Sequence, residues 1–182
     1  MNTTKSTAII LYPRFSEYEL SVLLSVLHQG GKSVKYVGLD RNVIKGEAGL
    51  PCIPETTIQE LNLDEIDSIM LPGVDDFQHL INHHELSNFL NKANDGKRII
   101  GAISSAPYLL SISGVLENKK YTVGLTEDQR NFLGTFNEKN YMNQPVVVDG
   151  NVITGKGSSF INFAFQYGEL LNLKFDKRWY NQ

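Results

Sequence analysis

The segment Ile99-Ile100-Gly101-Ala102-Ile103-Ser104-Ser105-Ala106-Pro107 puts a hydroxyl at the end of an apolar run, with an alanine two residues to either side of Ser104. That spacing suits a sharp strand-to-helix turn. Residues flanking the apex must be small there because strand and helix backbones nearly touch. Amides of the following helix would point at the apex and favour negative charge. Ser104 is therefore a candidate nucleophile, with the Ser105 amide beside it as a candidate oxyanion donor. The same residues also suit plain capping, with a serine at the helix start and Pro107 in the first turn.

Other reactive side chains are sparse. His79 and His83 stand four apart with Asp75, Asp76 and His84 nearby, a spacing that could hold a metal on a helix. No third ligand is assured, and polar residues after Pro72-Gly73 suit a solvated helix start, so no metal site is expected. Ser16-Glu17-Tyr18-Glu19 spells a capping box in which Glu19 bonds back to Ser16. Cys52 is the sole cysteine, so an internal disulfide and a cysteine-built zinc cage are excluded. Between Pro51 and Ile53 it suits a small buried hydrophobe.

The elements that must position Ser104 follow from hydrophobic period. Apolar strands alternate with helical segments, which predicts βαβ units and a parallel sheet covered on both faces. Strands are expected at Thr7 to Leu11, Ser33 to Gly38, Ser68 to Leu71 and Arg98 to Ile103, with another near Tyr121. Val43 to Ile53 suits an irregular hairpin, and Val146 to Val148 a regular one turning at Asp149-Gly150-Asn151 into Val152 to Thr154. Helices are expected after Phe15, ending at Gly30-Gly31, then at Glu85 to Ala93, from Ser105 to Gly114, after a capping box at Thr126 and Gln129, and at Ser159 to Leu171. Ligands of such sheets bind beyond the carboxyl ends of strands, here the turns after Leu11, Leu71, Ile103 and Thr154.

Composition narrows the partners. The 182 residues suit one domain over positions 1–182, and a net charge of -3 without a basic cluster argues against nucleic acid. The polar start and the short apolar run at Ala8 to Leu11 predict neither signal peptide nor membrane span, so a cytoplasmic location is expected.

Leu71-Pro72-Gly73, Gly101-Ala102-Ile103-Ser104-Ser105-Ala106-Pro107, and Gly150-Asn151-Val152-Ile153-Thr154 before Gly157 together resemble the ThiJ/PfpI family, the DJ-one-like relatives of class I glutamine amidotransferase domains. The resemblance runs over nearly the whole chain. It implies a flavodoxin-like three-layer α/β sandwich with a mainly parallel central sheet, commonly a homodimer, without a cofactor. Family activities include amidase or protease, glyoxalase or deglycase, chaperone and redox-sensing roles. By position, Ser104 stands where the family has its reactive cysteine, and Glu19 matches the glutamate facing that residue. The oxyanion donors would be the amides of Val74, after Gly73, and Ser105. The histidine that many members carry falls near Gly124 and is absent.

Magnitudes decide what the serine means. Contact with a helix terminus is worth about 0.3 to 2 kcal/mol, at most roughly one and a half pKa units. A thiol near ~8.5 can thereby ionise at neutral pH, whereas an aliphatic hydroxyl cannot. Ser104 needs a base. In the family the glutamate is thought to be protonated, the wrong state for one. The expectation is a member with lost or weakened cysteine chemistry that binds a small carbonyl, carboxylate or amide ligand or serves in stress response. The alternative is a Ser104-dependent hydrolase or a glyoxalase-like or deglycase-like enzyme. A homodimer is expected, with aromatic surface near Trp179 and Tyr180.

Overall fold

The computed structural model describes residues 5–180. Its centre is a seven-stranded sheet built from β1 (Ser6–Leu11), β2 (Val34–Gly38), β5 (Thr56–Thr57), β6 (Ile66–Leu71), β7 (Ile99–Ile103), β8 (Val146–Asp149) and β9 (Val152–Gly155). The order is β5-β2-β1-β6-β7-β9-β8, and every neighbouring pair is parallel except β8 with β9. A separate antiparallel ribbon pairs β3 (Ile44–Lys45) with β4 (Pro51–Cys52), so the irregular hairpin is present.

Burial on both faces explains the missing alternation. β1 is buried at all six positions because helices cover both its sides. Helix α1 (Glu17–Gln29) packs on α5 (Phe160–Leu170), and α2 (His84–Ala93) packs on α3 (Pro107–Ile112). The inner stripe of α1 is Leu20, Leu23 and Leu27, spaced as a helix face requires. Close approach of α5 to the sheet depends on Gly101, where a Cβ would stand 2.6 Å from Tyr167 and 3.1 Å from Phe163. The short α4 (Glu127–Leu133) starts with the expected capping box, Thr126 and Gln129 bonding reciprocally.

Three expectations about local structure change. The segment near Tyr121 forms only an isolated bridge to Tyr141, because each returns to loop at once. The helix expected from Ser105 begins at Pro107, after a tight turn. Ser16 does not cap α1 through a box: its amide goes to the Gly73 carbonyl at 2.8 Å and its hydroxyl to Glu47 at 2.8 Å. Glu19 is thereby free to point elsewhere. No helix among the described residues is long and apolar enough to cross a membrane.

Candidate functional site

Ser104 leaves β7 with φ 61°, a left-handed conformation that side chains other than glycine rarely adopt. Such a residue costs of order 1 to 3 kcal/mol unless its surroundings over-determine it. Here they do. Its amide donates to the Gly155 carbonyl at 2.8 Å, and its carbonyl accepts from the Gly124 amide at 2.7 Å. The turn is clamped from both sides, and fully buried Ala102 and Ala106 leave room for it.

Glu19 comes from the first turn of α1 and is 1% exposed. Its Oε2 accepts the Gly73 amide at 2.6 Å, and its Oε1 accepts the Tyr18 hydroxyl at 3.2 Å. The Ser104 hydroxyl lies beside the same carboxyl. Burial pushes the Glu19 pKa up, outweighing the pull of the Gly73 amide, Ser104 and Tyr18, and nearby Glu47 adds to the rise. Beneath it, buried Tyr12 donates its hydroxyl to the Pro72 carbonyl and so holds the Pro-Gly turn in place.

Two glycines let these groups meet. A Cβ at Gly73 would stand 2.5 Å from Glu19 Oε2 and 2.6 Å from Ser104 Cβ. At Gly157 it would stand 2.8 Å from Glu19 Oε1, 2.9 Å from Ser104 Oγ and 3.1 Å from the Tyr18 hydroxyl. Ser104, Glu19 and Tyr18 thus form one constellation around the Gly157 Cα.

The two expected oxyanion donors differ. The Ser105 amide makes no hydrogen bond among the described residues. The Val74 amide is taken: it donates to Ser105 Oγ at 3.0 Å, and that hydroxyl donates back to the Val74 carbonyl at 2.8 Å. Gly73 and Val74 do lie beside Ser104, but the Gly73 amide serves Glu19 and the Val74 amide serves Ser105.

Ser104 sits between two lobes of a surface cleft. One, of about 410 Å³, includes Glu19, Glu47, Val74, Phe77, Ser105 and Gln129. The other, of about 400 Å³, includes Thr126, Tyr141, Lys156 and Ser158. Both lie at the carboxyl ends of the strands, where the turns after Leu11, Leu71, Ile103 and Thr154 were expected to meet. No histidine lines either lobe. His79 lies in a single turn at Gln78–Leu80, and His83 accepts the Leu86 amide at the start of α2. The pair does not share a helix, and no cluster of three metal-binding side chains occurs among the described residues. Cys52 lies half-buried in β4, its thiol pushed up by burial and by Glu17.

The sequence pattern missed Tyr18, Glu47, Phe77 and Gln129. Tyr18 is the residue beside Glu19, and once Glu19 turns inward its neighbour must border the cleft. Gln129 was visible only as half of a cap. Glu47 and Phe77 arrive on irregular loops that carry no periodic signal.

A flavodoxin-like α/β sandwich, with a left-handed residue at the end of a central parallel strand and a buried glutamate facing it, defines the structural class. Within that class, the DJ-1/PfpI family profile matches residues 5–170, and the chain belongs to that family. It is 28% identical to protein dj-1beta of Drosophila melanogaster, covering 92% of this chain and 90% of that protein. It is 27% identical to the glutathione-independent glyoxalase DJR-1.2 of Caenorhabditis elegans, over 94% and 91% of the two chains. The crystal structure of a thiJ/pfpI family protein from Bacillus anthracis superposes with a TM-score of 0.84 at 24% identity, covering 95% of this chain and 85% of that one.

Proposed function

We propose that this chain binds a small carbonyl or amide compound in the Ser104 cleft, with the nucleophilic chemistry of its family lost or greatly weakened. The observation that carries this is the company kept by the Ser104 hydroxyl: a buried carboxyl and a phenol, in a cleft that no histidine lines among the described residues. Serine nucleophiles depend on a base to take their proton. Glu19, pushed toward its neutral form by burial, is poorly suited to that task. The engaged Val74 amide removes one of two donors that a tetrahedral oxyanion needs. What is left to hold a carbonyl oxygen is the Ser105 amide, beside the Ser104 hydroxyl.

A second reading has one observation behind it. The Ser104 hydroxyl lies beside Glu19, and a carboxylate of raised pKa is a stronger base whenever it is ionised. That supports slow Ser104-dependent hydrolysis of small esters or amides, or glyoxalase-like or deglycase-like turnover. A panel of small aldehydes, amides and esters decides between them by amide chemical shifts and product formation. Binding with no turnover is expected. Turnover abolished by Ser104→Ala would overturn the binding reading in favour of the enzyme.

Assembly as a homodimer belongs to the same proposal. Apolar surface suited to it is offered by Val43, Leu50 and Ile53 around the β3–β4 ribbon and by Trp179, all more than half exposed. Tyr180 is instead partly buried against Phe165. Light scattering at micromolar concentration should give twice the chain mass.

A further inference from the structure

We propose that the ligand of the Ser104 cleft is a 2-oxo acid with an apolar side chain, held with its carboxylate toward Lys156 and its side chain against Phe132. This deepens the binding reading above and rests on it. A third hollow, of about 430 Å³, adjoins the Ser104 cleft and shares Asp75, Phe77, Leu125 and Gln129 with it. Its walls add Ile81, Leu133 and Phe132, and Phe132 is 90% exposed at the end of α4. An aromatic ring standing in water beside a polar cleft gains by covering apolar ligand surface.

Charge sets the orientation. The apolar hollow is rimmed by Asp75, Asp76 and Asp128, and the first two share Arg14 at 3.0 and 3.8 Å. Asp128 has no cation within ion-pair distance among the described residues. An anionic group is repelled from that end. At the other end Lys156 lines the lobe beyond Ser104, and its ammonium meets only the amide oxygen of Asn143, at 2.5 Å. No carboxylate lies within ion-pair distance of it among the described residues, so its charge is left for a ligand. The hydroxyls of Thr126 and Ser158 border the same lobe. Between the two ends lies the Ser105 amide, without a hydrogen-bond partner among the described residues, which can donate to a keto oxygen beside the Ser104 hydroxyl. Cation, donor and apolar wall therefore follow one another in the order carboxylate, ketone, side chain.

The test compares three compounds by calorimetric titration of the intact protein: 4-phenyl-2-oxobutanoate, 2-oxobutanoate lacking the ring, and 4-phenylbutan-2-one lacking the carboxylate. The first should bind roughly tenfold or more tighter than 2-oxobutanoate and roughly fivefold tighter than the ketone. Lys156→Met should erase the preference for the acid over the ketone, and Phe132→Ser the preference for the ring. Both side chains reach solvent, and a thermal melt confirms that each variant is folded. Equal affinities in the wild type, or preferences that survive these substitutions, would overturn the ligand assignment while leaving small-carbonyl binding intact. Failure of all three compounds to shift amides around Ser104 would overturn both.

Discussion

The Ser105 hydroxyl closes a two-bond ring with the Val74 backbone, accepting from its amide at 3.0 Å and donating to its carbonyl at 2.8 Å. The ring ties the turn after β6 to the turn after β7. It also occupies the amide of Val74, a residue that lines the cleft. Ser105→Ala should cost about 1 to 3 kcal/mol of stability, because the buried Val74 amide loses its partner. In a Ser104→Cys background the same change should speed acylation by p-nitrophenyl acetate by up to about a hundredfold, the scale of one oxyanion donor. Equal acylation rates with and without the Ser105 hydroxyl would show that the Val74 amide is aimed away from the reacting centre.

Glu19 makes stability depend on pH with a definite sign. Its pKa is raised in the fold, chiefly by burial, so the folded state holds that proton more tightly than the unfolded chain. Its contribution is fully present below the ordinary carboxyl value near ~4.3 and is lost as pH rises through the folded value. Glu19→Gln keeps an oxygen for the Gly73 amide but cannot ionise. Thermal melts from acid to neutral pH should show the variant gaining on the wild type as pH rises. A gap moving the other way would mean that the Gly73, Tyr18 and Ser104 donors hold a carboxylate.

Much of the fold was legible because it rests on periodicity and turn chemistry. The central strands are unbroken apolar runs, and Asp149-Gly150-Asn151 allows little but a tight turn, with Gly150 at φ 61°. The site was legible in part. Ser104 announces itself through small neighbours, yet Glu19 fits a capping box equally well until the Gly73 carbonyl claims the Ser16 amide. The Ser105 hydroxyl looked like a cap because its partner, Val74, is 31 residues away. Long-range pairing of that kind leaves no local mark. Lys156 and Phe132 were invisible as ligand-facing groups for the same reason, since only the packing of separate turns brings them to one cleft.

Two of the glycines around Ser104 should respond differently to alanine. At Gly157 the new Cβ would lie 2.8 Å from Glu19 Oε1 and 2.9 Å from Ser104 Oγ, so the cleft groups must part. Gly157→Ala should weaken cleft binding at least roughly tenfold, with a stability cost on the overpacking scale of about 1 to 3 kcal/mol. At Gly124 the contacts are to Ser104 backbone, 3.2 Å from its Cα, carbonyl carbon and oxygen. Gly124→Ala should therefore act on the turn itself, and the Ser104 amide resonance should move even without ligand. The same closeness opposes a histidine at this position. Wild-type affinity and unchanged spectra in both variants would count against the packing described here.

Replacing the hydroxyl by a thiol measures what the turn still supplies. The Ser105 amide has no partner among the described residues, and Ser104 keeps its strained conformation through bonds to Gly155 and Gly124, so a cysteine there should sit in the same field. Partial positive charge at the start of a helix and nearby donors lower a thiol's pKa below ~8.5, while they leave an alcohol un-ionised. A neutral Glu19 can donate to that thiolate, whereas an ionised one would repel it. In Ser104→Cys, alkylation at position 104 should therefore proceed below pH 7 and respond to Glu19→Gln. Cys52, whose pKa is raised, should lag behind it. Wild-type protein should be labelled at Cys52 alone. Intact-mass spectrometry across a pH series reads both sites, and ordinary thiol reactivity at position 104 would mean that the turn stabilises no anion.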